Sequence, residues 1–379
     1  MYSYTIGNTY GDLRNHAELL CSTPQLTWDI IKKAYTSVKR YPLPPYAHRY
    51  LKDSLLNCDL PRLWKVNKPS ILIYRFSSLE LRFFLLSSSR HLCEAVSNLA
   101  WYHSFPFIHL DDDAIRINLQ SAKTINLDID VAWLPQTANY SHFLCDSIAP
   151  WIPFIDILKL PDKLALLTLN SLSPWQTDVT NILGFTPLQL DILEPCRMAI
   201  VKPRSVIFPV ISNVVISQVN LRQWLHAHFS QLRLPNITER ISPIYLSRSD
   251  IRSARIRNST EIESLVSHYG GTTLDPTKLT FSRKINLLGQ ASVIICEGSG
   301  SLNAILFGNP SGNVIHLTDP LTLQNPLFLD GGFPYLHAIS HLTDFVVGKN
   351  PLPLQGSPLS SCEFDVSEIC NLLDKYRHN

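Results

Sequence analysis

The chain is short of the features that would set it in a special class. None of its apolar runs approaches the roughly 20 residues that span a bilayer. The opening residues, MYSYTIGNTYGDLRNHAELL, carry no basic stretch followed by an apolar one. A cytoplasmic protein is the expectation, with room for adsorption to the inner face of a membrane. Charge of one sign is missing too: 33 basic residues face 31 acidic ones, a net charge of +2. Nucleic-acid binding through bulk charge is thereby excluded, though a local basic pocket is not. The eight cysteines include no CxxC pair and no Cys/His cluster at zinc spacing. They read as free, mostly buried thiols of a reducing compartment. No solenoid-length repeat and no low-complexity segment is visible, and neither GxGxxG nor GxSxG occurs in the loops considered below.

What is present is a chain of 379 residues, 45% apolar and 17% charged, an ordinary globular composition too long for one core. Helical patterns in TWDIIKKAYTSV and RHLCEAVSNLAWYH accompany a strand-like SILIYRF. A β-rich stretch, residues 101–135, then leads to a helix starting near residue 139. From residue 163 strands and helices alternate. KLALLTL is a buried strand, PWQTDVTNILGF a helix closed by Gly184, and MAIVKPRSVIFPV a pair of strands. NLRQWLHAHFSQL is an amphipathic helix, and RLPNITERISP reads as a linker. A second series follows: PIYLSRS, STEIESLVSHYGG, KINLLGQA, SVIIC, a glycine loop, and the helix LNAILFG. Two α/β units joined near residue 235 predict two Rossmann-like lobes with a cleft between them. The divisions are 1–235, 236–345 and a tail, 346–379, ending in the helical VSEICNLLDKYRH and expected to pack back on the N-terminal lobe.

Three groups of residues could carry chemistry. In ANYSHFLCDSIAPW, Asn139, His142 and Asp146 are spaced i, i+3, i+7, one face of an α-helix. Such a stripe suits a general base and its orienting carboxylate, or an N-cap followed by a core histidine. Cys145 lies off the stripe and reads as a packed thiol. In ASVIICEGSGSLNAILFG, a buried strand, a glycine loop and a helix follow one another. Gly298 and Gly300 would allow close approach, Ser299 and Ser301 would donate, and Asn303 lies just inside the helix, an arrangement suited to a phosphate. A plain strand–helix turn would need the same glycines. In YLSRSDIRSARIRNSTEIE, Arg248 follows a strand and Arg255 and Asn258 precede a helix. Arginine there can make bidentate contacts to a diphosphate, with Arg252 and Arg257 left to solvent and Asn258 or Ser259 as N-cap. Two acidic motifs compete. Asp111–Asp113 ends an apolar strand and Asp128/Asp130 forms a second DxD, the pattern that holds Mn²⁺ or Mg²⁺ against a diphosphate.

In this order NYSHFLCD, SRSDIRSARIRNSTE and EGSGSLNAILF resemble the signature of family 61 glycosyltransferases, over about residues 130–310. The resemblance implies a GT-B architecture, a nucleotide-sugar donor (often a UDP-sugar), inversion at the anomeric carbon and no required metal cofactor. It makes 1–235 the acceptor-binding lobe, with His142, Asp146 and Asn139 catalytic and either His142 or Asp146 as base. It makes 236–345 the donor-binding lobe, through Arg248, Arg255, Asn258, Glu297, Gly298, Ser299, Gly300, Ser301 and Asn303. Glu297 stands where many eukaryotic members have His, which points toward the bacterial capsule-polysaccharide branch. The acceptor is then an oligosaccharide or a lipid-linked glycan. The competing expectations are a metal-dependent GT-A enzyme using Asp111 and Asp113, and an inert nucleotide- or glycan-binding protein.

Overall fold

The computed structural model describes residues 2–5, 17–22, 62–75, 81–87, 108–111, 114–117, 122–133, 143–158, 164–168, 172–190, 198–210, 242–247, 255–297, 312–320, 342–354 and 360–377. They form a mixed α/β protein of two compact units. One draws on residues 1–24 and 60–212 and the other on 213–379. The expected boundary at 235 lies outside the described residues, as do the helices expected at 27–38, 90–103 and 220–232.

The first unit contains β1 (Tyr2–Thr5), β2 (Glu18–Ser22), β3 (Arg62–Asn67), β4 (Ser70–Arg75), β5 (Leu81–Leu86), β6 (Ile108–Asp111), β7 (Ala114–Ile117), β8 (Lys123–Trp133), β9 (Ala165–Thr168), β10 (Thr186–Gln189) and β11 (Met198–Val210). Its main sheet has a parallel half, in the order β10-β9-β8-β11. A π-helical turn (Phe143–Ile148), a 3₁₀ turn (Ala149–Trp151) and α1 (Ile152–Leu158) connect β8 to β9, and α2 (Pro174–Ile182) connects β9 to β10. Ser173 opens α2 with a capping box to Gln176, Pro174 sits where its missing N–H costs nothing, and Gly184, at φ 76°, stops it.

The other half is antiparallel, which corrects the expectation of a purely Rossmann-like lobe. Only five residues, 76–80, separate β4 from β5, too few for a crossover, so the two strands form a hairpin. Strands β3 and β4 lie end to end along β11, broken at Lys68, where φ is +47°. Strands β1, β7 and β6 make a separate antiparallel sheet. MAIVKPRSVIFPV is one strand and not two, because Pro203 falls at a register shift against β8, where a missing ladder N–H is tolerated. One face of the main sheet buries Trp64, Ile71, Phe83, Val131, Trp133, Leu167 and Phe208 as a single core.

The second unit is a five-stranded parallel sheet of β12 (Ile244–Leu246), β13 (Thr272–Leu274), β14 (Val293–Glu297), β15 (Asn313–Thr318) and β16 (Leu342–Val347). Their spatial order is β13-β12-β14-β15-β16. Helix α3 (Ser259–His268) links β12 to β13 and α4 (Phe281–Gln290) links β13 to β14. All five residues of β14 are buried, as a central parallel strand requires. Gly270, at φ 70°, ends α3, and a Cβ on Gly271 would meet the Pro243 carbonyl at 2.3 Å. The chain closes with the hairpin β17 (Lys349–Pro353) and β18 (Ser360–Glu363), then α5 (Val366–Arg377).

Helix α5 does not belong to the N-terminal lobe as its sequence position suggested. Ile369, Leu373 and Tyr376 pack into one core with Tyr245, Ile262, Val293, Ile315 and Val346. The Tyr376 hydroxyl and the Lys375 ammonium both donate to Asp344 in β16. An amphipathic pattern specifies that a helix has an apolar face, but not which sheet receives it.

Candidate functional site

Each sheet has one place where successive connections leave in opposite directions. In open α/β sheets a ligand crevice forms there, outside the carboxyl ends of the strands. In the second unit the strands run 2-1-3-4-5 in chain order, so this place lies between β12 and β14. The arginine-bearing segment leaves β12 at Ser247, and the glycine loop leaves β14 at Glu297. In the first unit the parallel strands run 3-2-1-4 in chain order, which puts the reversal between β8 and β11. The segment carrying Asn139 and His142 leaves β8 at Trp133. The two donor-side segments thus follow the strands at one reversal point, and the segment carrying Asn139 and His142 follows a strand at the other.

Asn139, His142, Arg248, Gly298, Ser299, Gly300, Ser301 and Asn303 lie outside the described residues. Asp146 belongs to the π-helical turn at 143–148, with Phe143, Leu144, Ser147 and Ile148 all buried around it. This corrects the expected helical geometry. Asn139 and His142 lie outside this turn and outside the described residues, so their spacing to Asp146 is not defined here; such turns recur at functional sites. The turn is held at its far end by Trp151, whose indole N–H donates to the Trp133 carbonyl at 3.3 Å. Phe143 stands edge-on to Trp175, and Trp151 to Phe185, each with ring centroids 5.2 Å apart.

On the donor side, Ser247 is buried at the end of β12, its N–H bonded to the Leu274 carbonyl at 2.9 Å. Its hydroxyl and that of Ser259 both donate to Glu263, at 3.1 and 3.0 Å, and the Tyr245 hydroxyl meets Ser259 at 3.1 Å. Burial, with Glu297 and Glu263 nearby, pushes the Tyr245 phenol well above its ordinary range. This network ties the first turn of α3 to the carboxyl end of β12, a connection that spacing alone does not reveal.

Beside it lies a small pocket, with about 10 Å³ of enclosed space, lined by Arg255, Ile256, Glu297, Leu317, Asp319, Ser360, Cys362 and Phe364. Arg255 and Glu297 were both sequence candidates, and the structure brings them together here. Asp319 and Ser360 were not, because a lone acid after a strand and a serine in a Pro-rich tail carry no signal. Asn258 stands at the N-cap of α3 without capping it. Its amide instead donates to the Phe364 carbonyl at 2.8 Å, accepts from the Phe364 N–H at 3.0 Å and reaches Glu261 at 3.3 Å. Asn258 thereby ties the start of α3 to the tail.

Arg257 is likewise no solvated side chain. It donates to the carbonyls of Ser361 and Asn350, at 2.7 and 2.8 Å, and pairs with Glu363 at 3.3 Å. His316 in β15 is buried beside Phe345, and desolvation pushes it down to about 3, so it is neutral at physiological pH. Lys284 in α4 is also buried, and burial lowers its ammonium to about 8 against the opposing charge of Asp275. Cys296 and Cys362 are buried free thiols, both pushed upward by burial and so poor nucleophiles.

Asp130 of the second DxD motif is engaged within the sheet. Asp130 accepts two parallel bonds from Arg204, both 2.9 Å, and one from Ser205. These partners hold its carboxyl down at about 2, against an ordinary 3.8. Because the folded value is depressed, its stabilising contribution is complete above about pH 4 and vanishes as pH falls through about 2. Asp130→Asn is expected to lower stability slightly at neutral pH, the pair being open to solvent. In acid unfolding curves, the variant and the wild type should converge near pH 2. Asp111 ends β6 and pairs with Ala114 across a hairpin, while Asp112 and Asp113 lie outside the described residues. Among the described residues, no three His, Cys, Asp or Glu side chains gather as a metal site, and no helix is long and apolar enough to cross a membrane.

Residues 140–315 match the family model described as glycosyltransferase 61, a span that begins one residue after Asn139 and covers both donor-side motifs. No curated protein matches the chain. Among solved structures, similarity is found to the bacterial iron-containing dodecameric glycosyltransferase TibC from enterotoxigenic E. coli H10407. That match covers 68% of this chain and 75% of that one at 11% identity, with a TM-score of 0.26, too loose to carry an argument.

Proposed function

Because the chain carries a glycosyltransferase family 61 region and is a glycosyltransferase, we propose that it moves a sugar from a nucleotide-sugar donor to a glycan acceptor. A UDP-sugar is the first donor to test, and inversion at the anomeric carbon the expected outcome. The observation that carries this reading is the topology of the second unit. Two motif-bearing segments, separated by some fifty residues of sequence, leave the carboxyl ends of the adjacent strands β12 and β14 where the strand order reverses.

Charge divides the labour there. The pocket presents one guanidinium, Arg255, and two carboxylates, Glu297 and Asp319. Arg255 supplies the positive charge that a diphosphate needs there, and Arg248 and residues 298–301 are the further diphosphate contacts that the family resemblance implies. The carboxylates can accept hydrogen bonds from sugar hydroxyls. The enclosed space is only about 10 Å³, room for about one water, so a donor would lie against these residues and not inside a closed cavity. The other half of the reaction belongs to the first unit, where His142 or Asp146 removes the acceptor hydroxyl proton and the partner residue orients it. In family terms this is a GT-B enzyme with the donor on the C-terminal unit. Its workplace is the cytoplasm or the inner membrane face, its product a capsule or other surface polysaccharide.

A panel of nucleotide sugars offered to the purified protein, with and without EDTA, tests the reading. Hydrolysis or transfer that survives EDTA, with a product of inverted anomeric configuration by NMR, is the expected result. Activity abolished by EDTA and by Asp111→Ala would move the assignment to the metal-dependent alternative. Nucleotide binding without turnover of any donor would leave an inert binding protein.

A further inference from the structure

The hairpin β17–β18 falls outside the family match, which stops at residue 315. Yet β18 supplies Ser360 and Cys362 to the wall of the pocket, with Phe364 just beyond. Besides its pairing with β17, it is attached to the end of β15 and to the segment that bears Arg255 and Asn258. The carboxylate of Asp319, directly after β15, accepts the Ser360 backbone N–H and hydroxyl, both at 2.7 Å. The Cys362 N–H donates to the Arg255 carbonyl at 2.7 Å, and the Arg257 N–H to the Cys362 carbonyl at 2.9 Å. Ile256 and Cys362 thereby form a parallel bridge. Asn258 then grips the Phe364 backbone by both ends of its amide.

Two features make this attachment specific. Asp319 and Ser360 are 8% and 0% exposed, so losing either partner would strand a buried polar group, a costly outcome. Gly348 gives β18 room to approach. A Cβ there would lie 2.5 Å from the Cys362 Cβ and 2.9 Å from its Sγ.

We propose that β18 is a clamp on the donor site. Asp319, Ser360 and Asn258 are positioning residues that fix the main chain of Arg255 and so present its guanidinium to the pocket. The clamp rests on the donor-side reading given above. Loosening it weakens donor binding while leaving the acid–base groups of the first unit untouched.

Asp319→Ala and Ser360→Ala test this in the full chain, with UDP as the binding probe in calorimetry. Labelling of the Cys362 thiol, mapped by mass spectrometry, reports how often the clamp opens. Both variants are expected to raise the UDP dissociation constant about tenfold and to speed Cys362 labelling at least as much, the scale of one lost charged hydrogen bond. With an active donor the same change should fall on KM and leave kcat within about twofold. Ser360→Thr, which keeps both donors, should restore the wild-type values. Leu288→Ala, a core truncation in α4, should lower the melting temperature without moving UDP affinity. Faster labelling with unchanged UDP affinity overturns the clamp, as does unchanged labelling. A wild-type protein that binds no nucleotide overturns the donor-site reading itself, and the clamp with it.

Discussion

Replacing His142 or Asp146 by alanine is expected to lower turnover by about 10²–10⁴-fold, the usual contribution of a positioned acid–base group. The donor KM should barely change, because neither residue belongs to the unit proposed to bind the donor. Combining the two substitutions should cost little more than the larger single loss, since a base and its orienting partner act together. The pH–rate profile separates their roles. If the imidazole is the base, activity rises through a value near its ordinary pKa of about 6.5, and Asp146→Asn moves that limb. If the carboxylate is the base, the limb lies lower and His142→Ala leaves its position in place. Full turnover in both single variants would remove the acid–base assignment altogether.

Trp151→Ala should produce the largest loss of stability among simple substitutions in the first unit, about 3–5 kcal/mol. The indole is fully buried, meets Phe185 edge-on at 5.2 Å and donates to the Trp133 carbonyl at 3.3 Å. Truncation therefore leaves a cavity and an unanswered carbonyl together. Trp133 and Trp151 bracket the segment that holds Asn139, His142 and Asp146, so the bond closes the loop carrying the proposed acid–base groups. Trp151→Phe separates the two contributions. It keeps most of the ring packing and loses only the hydrogen bond, at roughly 1 kcal/mol. Thermal melts read the stability, and kcat of the phenylalanine variant reads how far the loop depends on that bond. A melting curve for Trp151→Ala that overlays the wild type would show that the aromatic cluster is not what holds this turn.

Local pattern made the alternating elements of both units legible. β9, α2, β12, α3, α4, β14 and α5 follow from apolar periodicity and from stop signals such as Gly184 and Gly270. Composition hid the geometry near Asp146. Phe143, Leu144, Ile148 and Trp151 are all buried, and apolar spacing of this kind does not fix how the helix is wound. The proline at 203 suggested a break, because a bulge that excuses it depends on the partner strand. The tail was hardest to place. Asn258 and Phe364 stand 106 positions apart, and nothing in either neighbourhood announces the other. The arginines divided in the same way. Arg257, left to solvent in the sequence reading, serves the hairpin, while Arg255 lines the pocket.

Strand β11 gives the first unit a property that its mixed sheet would not otherwise have. Its thirteen residues hydrogen-bond to β8 along one edge and to β3 and β4 along the other. It is the seam at which two differently built half-sheets are sewn together. Neither half can peel away without tearing that seam, so a disturbance in the N-terminal meander reaches the strand beside the acid–base segment as a shared, cooperative loss.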